Sequence, residues 1–260
     1  MPYPQPMPTL LCNTLIRTLA ALWLASGLAA AGAQTLTVAI DSSLDPAMTA
    51  VARGFESGRK GVAVKLVAGA PGTLLDRMAG GLLVDVLAGS HADTAALGQQ
   101  RRLLQPELRS VFATNTLVLV VPATLKLPVQ RLSDLARPEV LRIAVGRPAV
   151  EPAGRYAREA IDGQRLWPSV QRKVVNADDV RQVLGLVAAG DVEAGFVYAT
   201  DVAAAAGRVR QVETLETTPV RYLVHVGTGS PQAALAREFV AYLGSDAARA
   251  VWLRHGFGVP

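Results

Sequence analysis

The sequence has one cysteine, three histidines and few aromatic residues, which make up 5% of its 260 positions. Because Cys12 is the only thiol, no internal disulfide can form, and the fold must be stabilised by its hydrophobic core. The histidines, His91, His225 and His255, do not have the spacings that bind zinc. No Gly-x-Ser-x-Gly motif is present either, so we interpret Ser90, beside His91, as part of a polar loop and not of a catalytic triad. We therefore expect no enzymatic activity, no metal site and no cofactor.

Acidic residues are missing from the first 33 positions, which contain one basic residue, Arg17. The apolar stretch at 19–31 leads to Ala31-Gly32-Ala33. A short apolar core followed by an Ala-x-Ala site is typical of a secretory signal peptide. A membrane span would need about 20 apolar residues. We therefore predict a signal peptide at residues 1–33, cleaved after Ala33, and a periplasmic location.

Long runs of one charge are also missing, although the formal net charge is +5. The basic residues are spread thinly, so the sequence offers no patch of the kind that binds nucleic acid. Half of the residues are hydrophobic, which excludes a disordered chain. We therefore expect a folded protein that binds no nucleic acid.

Short β-branched apolar runs alternate with segments of helical period along the chain. This alternation is typical of an α/β fold with mostly parallel sheets covered by helices. The predicted strands are residues 36–40, 62–67, 84–88, 117–121, 141–145, 194–198 and 222–226. The predicted helices are residues 46–56, 73–79, 92–97, 154–161, 180–189, 232–243 and 246–255.

Several predicted strands end in small or hydroxyl residues that open directly into a helix. The first turn of a helix has unpaired backbone N–H groups and a partial positive charge, so helix starts that face one cleft can bind an anion. The segment from Gly69 to Thr73 lacks the lysine of a nucleotide phosphate loop. Ser43, Thr73 and Asp179 also fit the alternative interpretation as ordinary helix caps.

Six short segments follow one another in a characteristic order along the chain. They are residues 42–44, 115–122, 145–157, 179–181, 195–198 and 255–260. In this order and at this spacing, residues 36–260 resemble the periplasmic molybdate-binding proteins of ABC uptake systems. The resemblance implies a type II periplasmic binding protein fold with two lobes and the ligand in the cleft between them. It also implies lobe limits of 34–114 plus 226–260 for the first lobe and 115–225 for the second.

The resemblance further implies which groups hold a molybdate or tungstate ion. They are the hydroxyl and amide of Ser43, the backbone amides of Ala153 and Val180, and the hydroxyl of Tyr198. The alternative for Tyr198 is a core side chain with its hydroxyl at the rim. The partners implied are the small oxyanion and a membrane permease that receives it, and the implied oligomeric state is a monomer.

Two positions depart from the family pattern. Pro71 stands where the family has a second serine, and proline offers neither a hydroxyl nor an N–H. We expect the amides of Gly72 and Thr73, or the Thr73 hydroxyl, to replace it. Asp41 stands where the family has a small residue. We expect its carboxylate to point away from the cleft or to pair with an arginine, because it would otherwise repel a dianion.

These departures leave three other functions open. The first is a binding protein for another oxyanion or a small carboxylate. The second is an exported enzyme, which would require a catalytic set that the sequence does not show. The third is a periplasmic sensor or interaction module that kept the fold but not tight binding.

Overall fold

Strands and helices alternate along the part of the chain that the computed structural model describes, which comprises residues 34–90, 92–106 and 110–260. The predicted signal peptide lies outside the described residues, as does His91. Residues 35–260 form one unit, and the strands pair into two five-stranded sheets. Within these ranges no helix has the length and apolar character needed to cross a membrane.

The first sheet is built from β1 (Gln34–Asp41), β2 (Val62–Gly69), β3 (Val86–Ser90), β4 (Ser110–Asn115) and β10 (Val220–Val226). Its strand order is β2-β1-β3-β10-β4. Strands β1 and β3 run parallel, whereas β10 runs antiparallel to both β3 and β4. The register places Tyr222 of β10 opposite Ser90 of β3.

The second sheet is built from β5 (Leu117–Pro122), β6 (Ile143–Gly146), β7 (Val174–Ala177), β8 (Ala194–Tyr198) and β9 (Val209–Thr214). Its strand order is β7-β6-β8-β5-β9. Strand β6 is parallel to β7 and β8, and β5 is antiparallel to β8 and β9. Every residue of β5 and β8 is buried, which explains why both read as continuous apolar runs.

Helices follow most strands. They are α1 (Asp45–Ser57), α2 (Pro71–Ala79), α3 (Ala92–Gln100), α4 (Pro152–Gly163), α5 (Trp167–Val170), α6 (Val180–Ala189), α7 (Ala199–Ala204), α8 (Ala233–Leu243) and α9 (Asp246–Arg254). Prolines at the start of α1, α2 and α4 suit the first turn, where an N–H has no intrahelical partner. Asp179 caps α6 by accepting from the Gln182 amide, as one interpretation of the sequence expects.

The α/β fold is confirmed, with one change and one addition. Both sheets are mixed. Strand β5 is the first strand after the chain crosses to the second sheet, and β10 is the first after it returns to the first sheet. Each runs antiparallel to its neighbours. Strand pairing also assigns Val220–Val226 to the first sheet, so the chain returns there before the expected limit at residue 226. The lobe limits as a whole stay a prediction.

Candidate functional site

The carboxylate of Asp41 lies at the end of β1 and is fully buried. Its Oδ1 accepts from the Ser43 backbone N–H at 3.1 Å and from the Ser43 hydroxyl at 2.8 Å. Its Oδ2 accepts from the Ser90 hydroxyl at 2.8 Å. Ser43 lies in the 3₁₀ turn Ser42–Leu44, and Ser90 ends the parallel strand β3. Because β1 and β3 are neighbours, both serines reach the same carboxylate.

Two buried tyrosines complete this group, which we call the Asp41 cluster: Asp41, Ser43, Ser90, Tyr198 and Tyr222. The hydroxyl oxygens of Tyr222 and Ser43 are 2.8 Å apart, and so are those of Tyr198 and Ser90. Since each serine proton is directed to Asp41, each tyrosine donates to its serine. Tyr198 belongs to the second sheet and Ser90 to the first, so one hydrogen bond joins the two sheets at the cluster.

Aromatic packing holds Tyr222 in place. Its ring meets Phe257 edge to face at a centroid distance of 5.5 Å, and the Tyr198 ring at 6.1 Å. Asn115 donates to the Tyr222 hydroxyl at 3.2 Å and to Thr200 at 2.9 Å. Phe257 in the carboxyl-terminal segment and Asn115 at the end of β4 therefore both fix the orientation of the Tyr222 hydroxyl.

A second buried carboxyl, Glu151, stands at the start of α4. Its Oε1 accepts from the Ala153 amide at 3.1 Å, whereas its buried Oε2 has no hydrogen-bond partner among the described residues. Burial, and next the charge of Asp41, raise the pKa of Glu151 well above its usual value. Burial also raises the pKa of Asp41, although its bonds from Ser43 and Ser90 oppose the shift.

Asp201, in the first turn of α7, is a third buried acid near the cluster. Its Oδ2 accepts from the Tyr198 amide at 2.9 Å. Burial is the main cause that raises its pKa to about 7, and the Asp41 charge adds to the shift. The same burial raises the pKa values of the Tyr198 and Tyr222 hydroxyls, so both remain protonated donors at neutral pH.

Three arginines near these helix starts are bound to other groups. Arg147 forms an ion pair with Asp178 at 2.7 Å, and Arg181 pairs with Asp45. Arg155 donates to the Thr94 hydroxyl at 2.9 Å. The expectation that Asp41 points away or pairs with an arginine is therefore wrong, because serine hydroxyls satisfy its carboxylate inside the protein.

The structure brings together four of the six residues that the sequence assigns to the ligand. Ser43 and Tyr198 belong to the Asp41 cluster, and the Ala153 amide binds the neighbouring Glu151. Val180 begins α6, which contacts the turn Ser42–Leu44. Hydroxyl donors and helix-start amides therefore come from both sheets to one buried region, and the assignment of these groups to an anion stays a prediction.

Gly72 and Thr73 are placed differently. The Gly72 amide donates to the Val150 carbonyl at 2.9 Å, and a Cβ at Gly72 would lie 2.6 Å from the Val150 Cα. Thr73 is half-buried inside α2, whose cap residue is Ala70, so Thr73 is not a helix cap. The Gly72 amide is therefore engaged in a contact with the segment before α4, and no hydrogen bond joins Thr73 to the cluster.

Sequence reasoning missed Ser90, Tyr222 and Glu151 as members of this region. The sequence predicts a polar loop at Ser90, because no Gly-x-Ser-x-Gly motif surrounds it, whereas in the structure it ends β3. Its contact with Asp41 spans 49 positions of the sequence, and the Tyr222 contact with Ser43 spans 179. A signal did exist for Glu151, since an acid directly before Pro152 can cap a helix.

Among the residues that the structure describes, no group of three or more potential ligand side chains could hold a metal ion. The donors of the Asp41 cluster are hydroxyls and amides, which suit a small anion or a hydrogen-bonding organic acid. The region can bind and orient such a ligand.

Residues 36–258 match the family described as bacterial extracellular solute-binding protein. The chain is 30% identical over 225 residues to a putative ABC transporter substrate-binding lipoprotein, YvgL, of Bacillus subtilis, with 86% of each chain covered. It is 30% identical to the molybdate-binding protein ModA of Haemophilus influenzae, covering 89% of this chain and 92% of the relative. The periplasmic molybdate-binding protein of Azotobacter vinelandii has the same fold, with a TM-score of 0.76, 19% identity and coverage of 86% and 99%.

Proposed function

We propose that this chain, which belongs to the bacterial extracellular solute-binding proteins, captures molybdate for an ABC importer after export to the periplasm. One observation carries the proposal. Hydroxyl groups from both sheets meet at the Asp41 cluster, where the Tyr198 and Ser90 hydroxyls bond across the sheets, and α6 contacts the turn that contains Ser43. The molybdate-binding relatives at 30% identity supply the ligand class.

In the proposed site the ion is held by uncharged donors. The hydroxyls of Ser43 and Tyr198 and the amides of Ala153 and Val180 would each donate one hydrogen bond to an oxygen of the ion. Ser43, Tyr198 and Ala153 would then give up their present acceptors, which are Asp41, Ser90 and Glu151 respectively. The partial positive charges at the starts of α4 and α6 offset part of its negative charge. We assign Gly72 and Thr73 a weaker role, since the Gly72 amide is bound to Val150.

Binding is proposed to stabilise a closed arrangement of the two lobes, because only that arrangement lets donors from both sheets contact one ion. The closed protein would then deliver the ion to a membrane permease. No covalent step is involved. Tungstate resembles molybdate in shape and charge, so we expect both to bind, with no resident cofactor required.

A second candidate ligand is another oxyanion or a small carboxylic acid. The observation that favours it is the pair of buried carboxyls, Asp41 and Glu151, neither of which forms an ion pair with a lysine or arginine that the structure describes. A ligand that carries its own O–H group could donate to one of these carboxylates. Molybdate remains the first choice because relatives that bind it match almost the whole chain.

Calorimetric titration of the purified protein with molybdate, tungstate, sulfate and phosphate tests the proposal. Submicromolar binding of molybdate and tungstate without sulfate would support it, since that affinity requires about 8 kcal/mol or more of binding free energy. Tight binding of sulfate or phosphate alone would favour the second candidate. The proposed function would be contradicted if none of the four ions gave a heat of binding between about pH 5.5 and about pH 8.5 and none changed the melting temperature of the protein.

A further inference from the structure

We propose that the protein takes up a proton when an oxyanion binds at the Asp41 cluster. The reason is that the hydroxyl groups needed to donate to the ion donate to the Asp41 carboxylate in the free protein. The inference rests on the proposed function and specifies its regulation: the protein binds its oxyanion more tightly as the pH falls. Asp41 is thus inferred to be a specificity-determining residue and an internal competitor of the ligand.

Hydrogen-bond geometry is the first support. A serine hydroxyl has one proton, and both serine protons of the cluster point to Asp41, at 2.8 Å in each case. The Ser43 amide points to the same carboxylate. An ionised Asp41 therefore takes three donors from the first sheet. A neutral Asp41 holds them less strongly and can itself donate one hydrogen bond to an oxyanion.

Charge is the second support. Asp41 and Glu151 are each 0% exposed, and within the described part of the chain neither carboxylate forms an ion pair with lysine or arginine. Adding a dianion beside two ionised carboxylates would collect four negative charges in a region of low dielectric, which is strongly unfavourable. Uptake of a proton by a carboxyl removes one of these charges when the ion enters.

The groups facing Asp41 come from six elements of the described chain. They are Ser43 on the 3₁₀ turn, Ser90 on β3, Tyr198 and Asp201 on β8 and α7, Tyr222 on β10, and Glu151 and Tyr156 at α4. Asp179 also faces Glu151, and Arg181 faces Asp201. Most of these groups are neutral or acidic, so little positive charge is available to offset a bound dianion, and its entry favours protonation of Asp41.

Glu151 offers a second position for the proton. Its Oε2 is buried and has no partner among the described residues, whereas its Oε1 binds the Ala153 amide. Burial raises the pKa of both Asp41 and Glu151. A neighbouring dianion raises the pKa of each remaining carboxylate further. Affinity then falls as the pH rises from the carboxyl pKa of the free protein to that of the complex.

The test is calorimetric titration with molybdate from about pH 5.5 to about pH 8.5, in pairs of buffers whose protonation enthalpies differ. The difference between buffers gives the number of protons taken up. We expect close to one proton and a loss of affinity of up to about tenfold per pH unit. Asp41→Asn keeps the shape and removes the titration, so its affinity should vary much less with pH.

Two further variants separate the outcomes. Glu151→Gln tests the second carboxyl. Asp191→Asn is the control for Asp41→Asn, because it replaces an aspartate with asparagine at an exposed position away from the cluster. We expect Asp191→Asn to keep the wild-type pH dependence. Melting curves show whether each variant is folded. Tight molybdate binding by Asp41→Asn at a pH where the wild type binds weakly would also support the internal competitor.

Four results would overturn the inference. Tight molybdate binding without proton uptake would overturn it and leave the proposed function intact. Unchanged proton uptake in folded Asp41→Asn, or its loss only in Glu151→Gln, would show that Asp41 is not the group that takes the proton. If neither the wild type nor Asp41→Asn binds molybdate or tungstate at any pH, the proposed function itself fails, and this inference fails with it.

Discussion

The two sheets contribute to the candidate site in different ways. The first sheet supplies side chains around a carboxylate: Asp41, Ser43, Ser90 and Tyr222. The second sheet supplies mainly the starts of α4 and α6, with Tyr198 as its one hydroxyl in the cluster. The first contribution depends on protonation and can be changed by single side-chain substitutions. The second is made by backbone amides, whose positions depend on how tightly each helix start packs on its sheet.

The largest effect is expected from disturbing that packing in the second sheet. A Cβ at Gly154 would lie 1.9 Å from the Gly146 carbonyl oxygen, so α4 must move away from β6. We expect Gly154→Ala to lower the free energy of unfolding by about 3 kcal/mol. Gly185→Ala is the matched control, because a Cβ there meets nothing within 4 Å and replaces a glycine inside α6. Denaturant unfolding of both variants checks this, and equal stability would contradict the packing argument.

The next effect concerns the side chains of the first sheet. Ser43→Ala removes the hydroxyl that lies between Asp41 and Tyr222, leaving both with one bond fewer. We expect molybdate binding to weaken by at least about tenfold, since a lost bond to a buried charged group costs roughly 1–3 kcal/mol. Titration at one pH measures it. Unchanged affinity in a folded variant would remove Ser43 from the site.

A smaller effect is expected from the one hydroxyl of the second sheet. Tyr198→Phe removes the bond to Ser90 but keeps the ring. We expect about tenfold weaker molybdate binding, since the lost bond is worth roughly 1 kcal/mol or more. Tyr242→Phe, on α8 beside Phe55, serves as the control and should bind as the wild type does. Equal affinities of the two variants would show that the second sheet contributes to binding through backbone amides alone.

The smallest effect is on stability and involves Asp201. Its pKa in the folded state is about 7, above the ordinary value of 3.8. The folded protein thus keeps this proton to higher pH than the unfolded chain, and the stability gained is complete below about pH 4 and lost as the pH rises through about 7. Between about pH 6 and about pH 8 we expect a loss of about 1 kcal/mol, which Asp201→Asn removes. Unfolding at several pH values measures it, and a parallel pH profile in the variant would contradict it.

Local sequence pattern was sufficient for most of the fold. The predicted strand 194–198 and helix 180–189 have the observed limits, because both are bounded by clear turn or capping residues. Three strands were missed: β4 (Ser110–Asn115), β7 (Val174–Ala177) and β9 (Val209–Thr214). Each contains polar or half-buried residues and lies at a sheet edge, so its strand structure depends on the neighbouring strand more than on its own apolar pattern.

The same difference between local pattern and long-range pairing applies to the residues of the site. Ser43 and Tyr198 could be predicted, because each lies in a short segment whose pattern resembles the family. Ser90 and Tyr222 could not, because their positions depend on pairing between β3 and β10, which are distant in sequence. Asp41 was identified as unusual, but its orientation was predicted wrongly, because nothing local indicates that a serine 49 positions away donates to it.

The α/β class, the family and the positions of the helix starts follow from local sequence, because apolar period, capping residues and prolines act over a few neighbouring residues. The convergence of two serines and two tyrosines on Asp41 follows from tertiary structure alone. That convergence depends on strand order and on the crossing of the chain between the sheets. Burial then sets the charge of the acids, because desolvation is a property of the assembled fold rather than of any local segment.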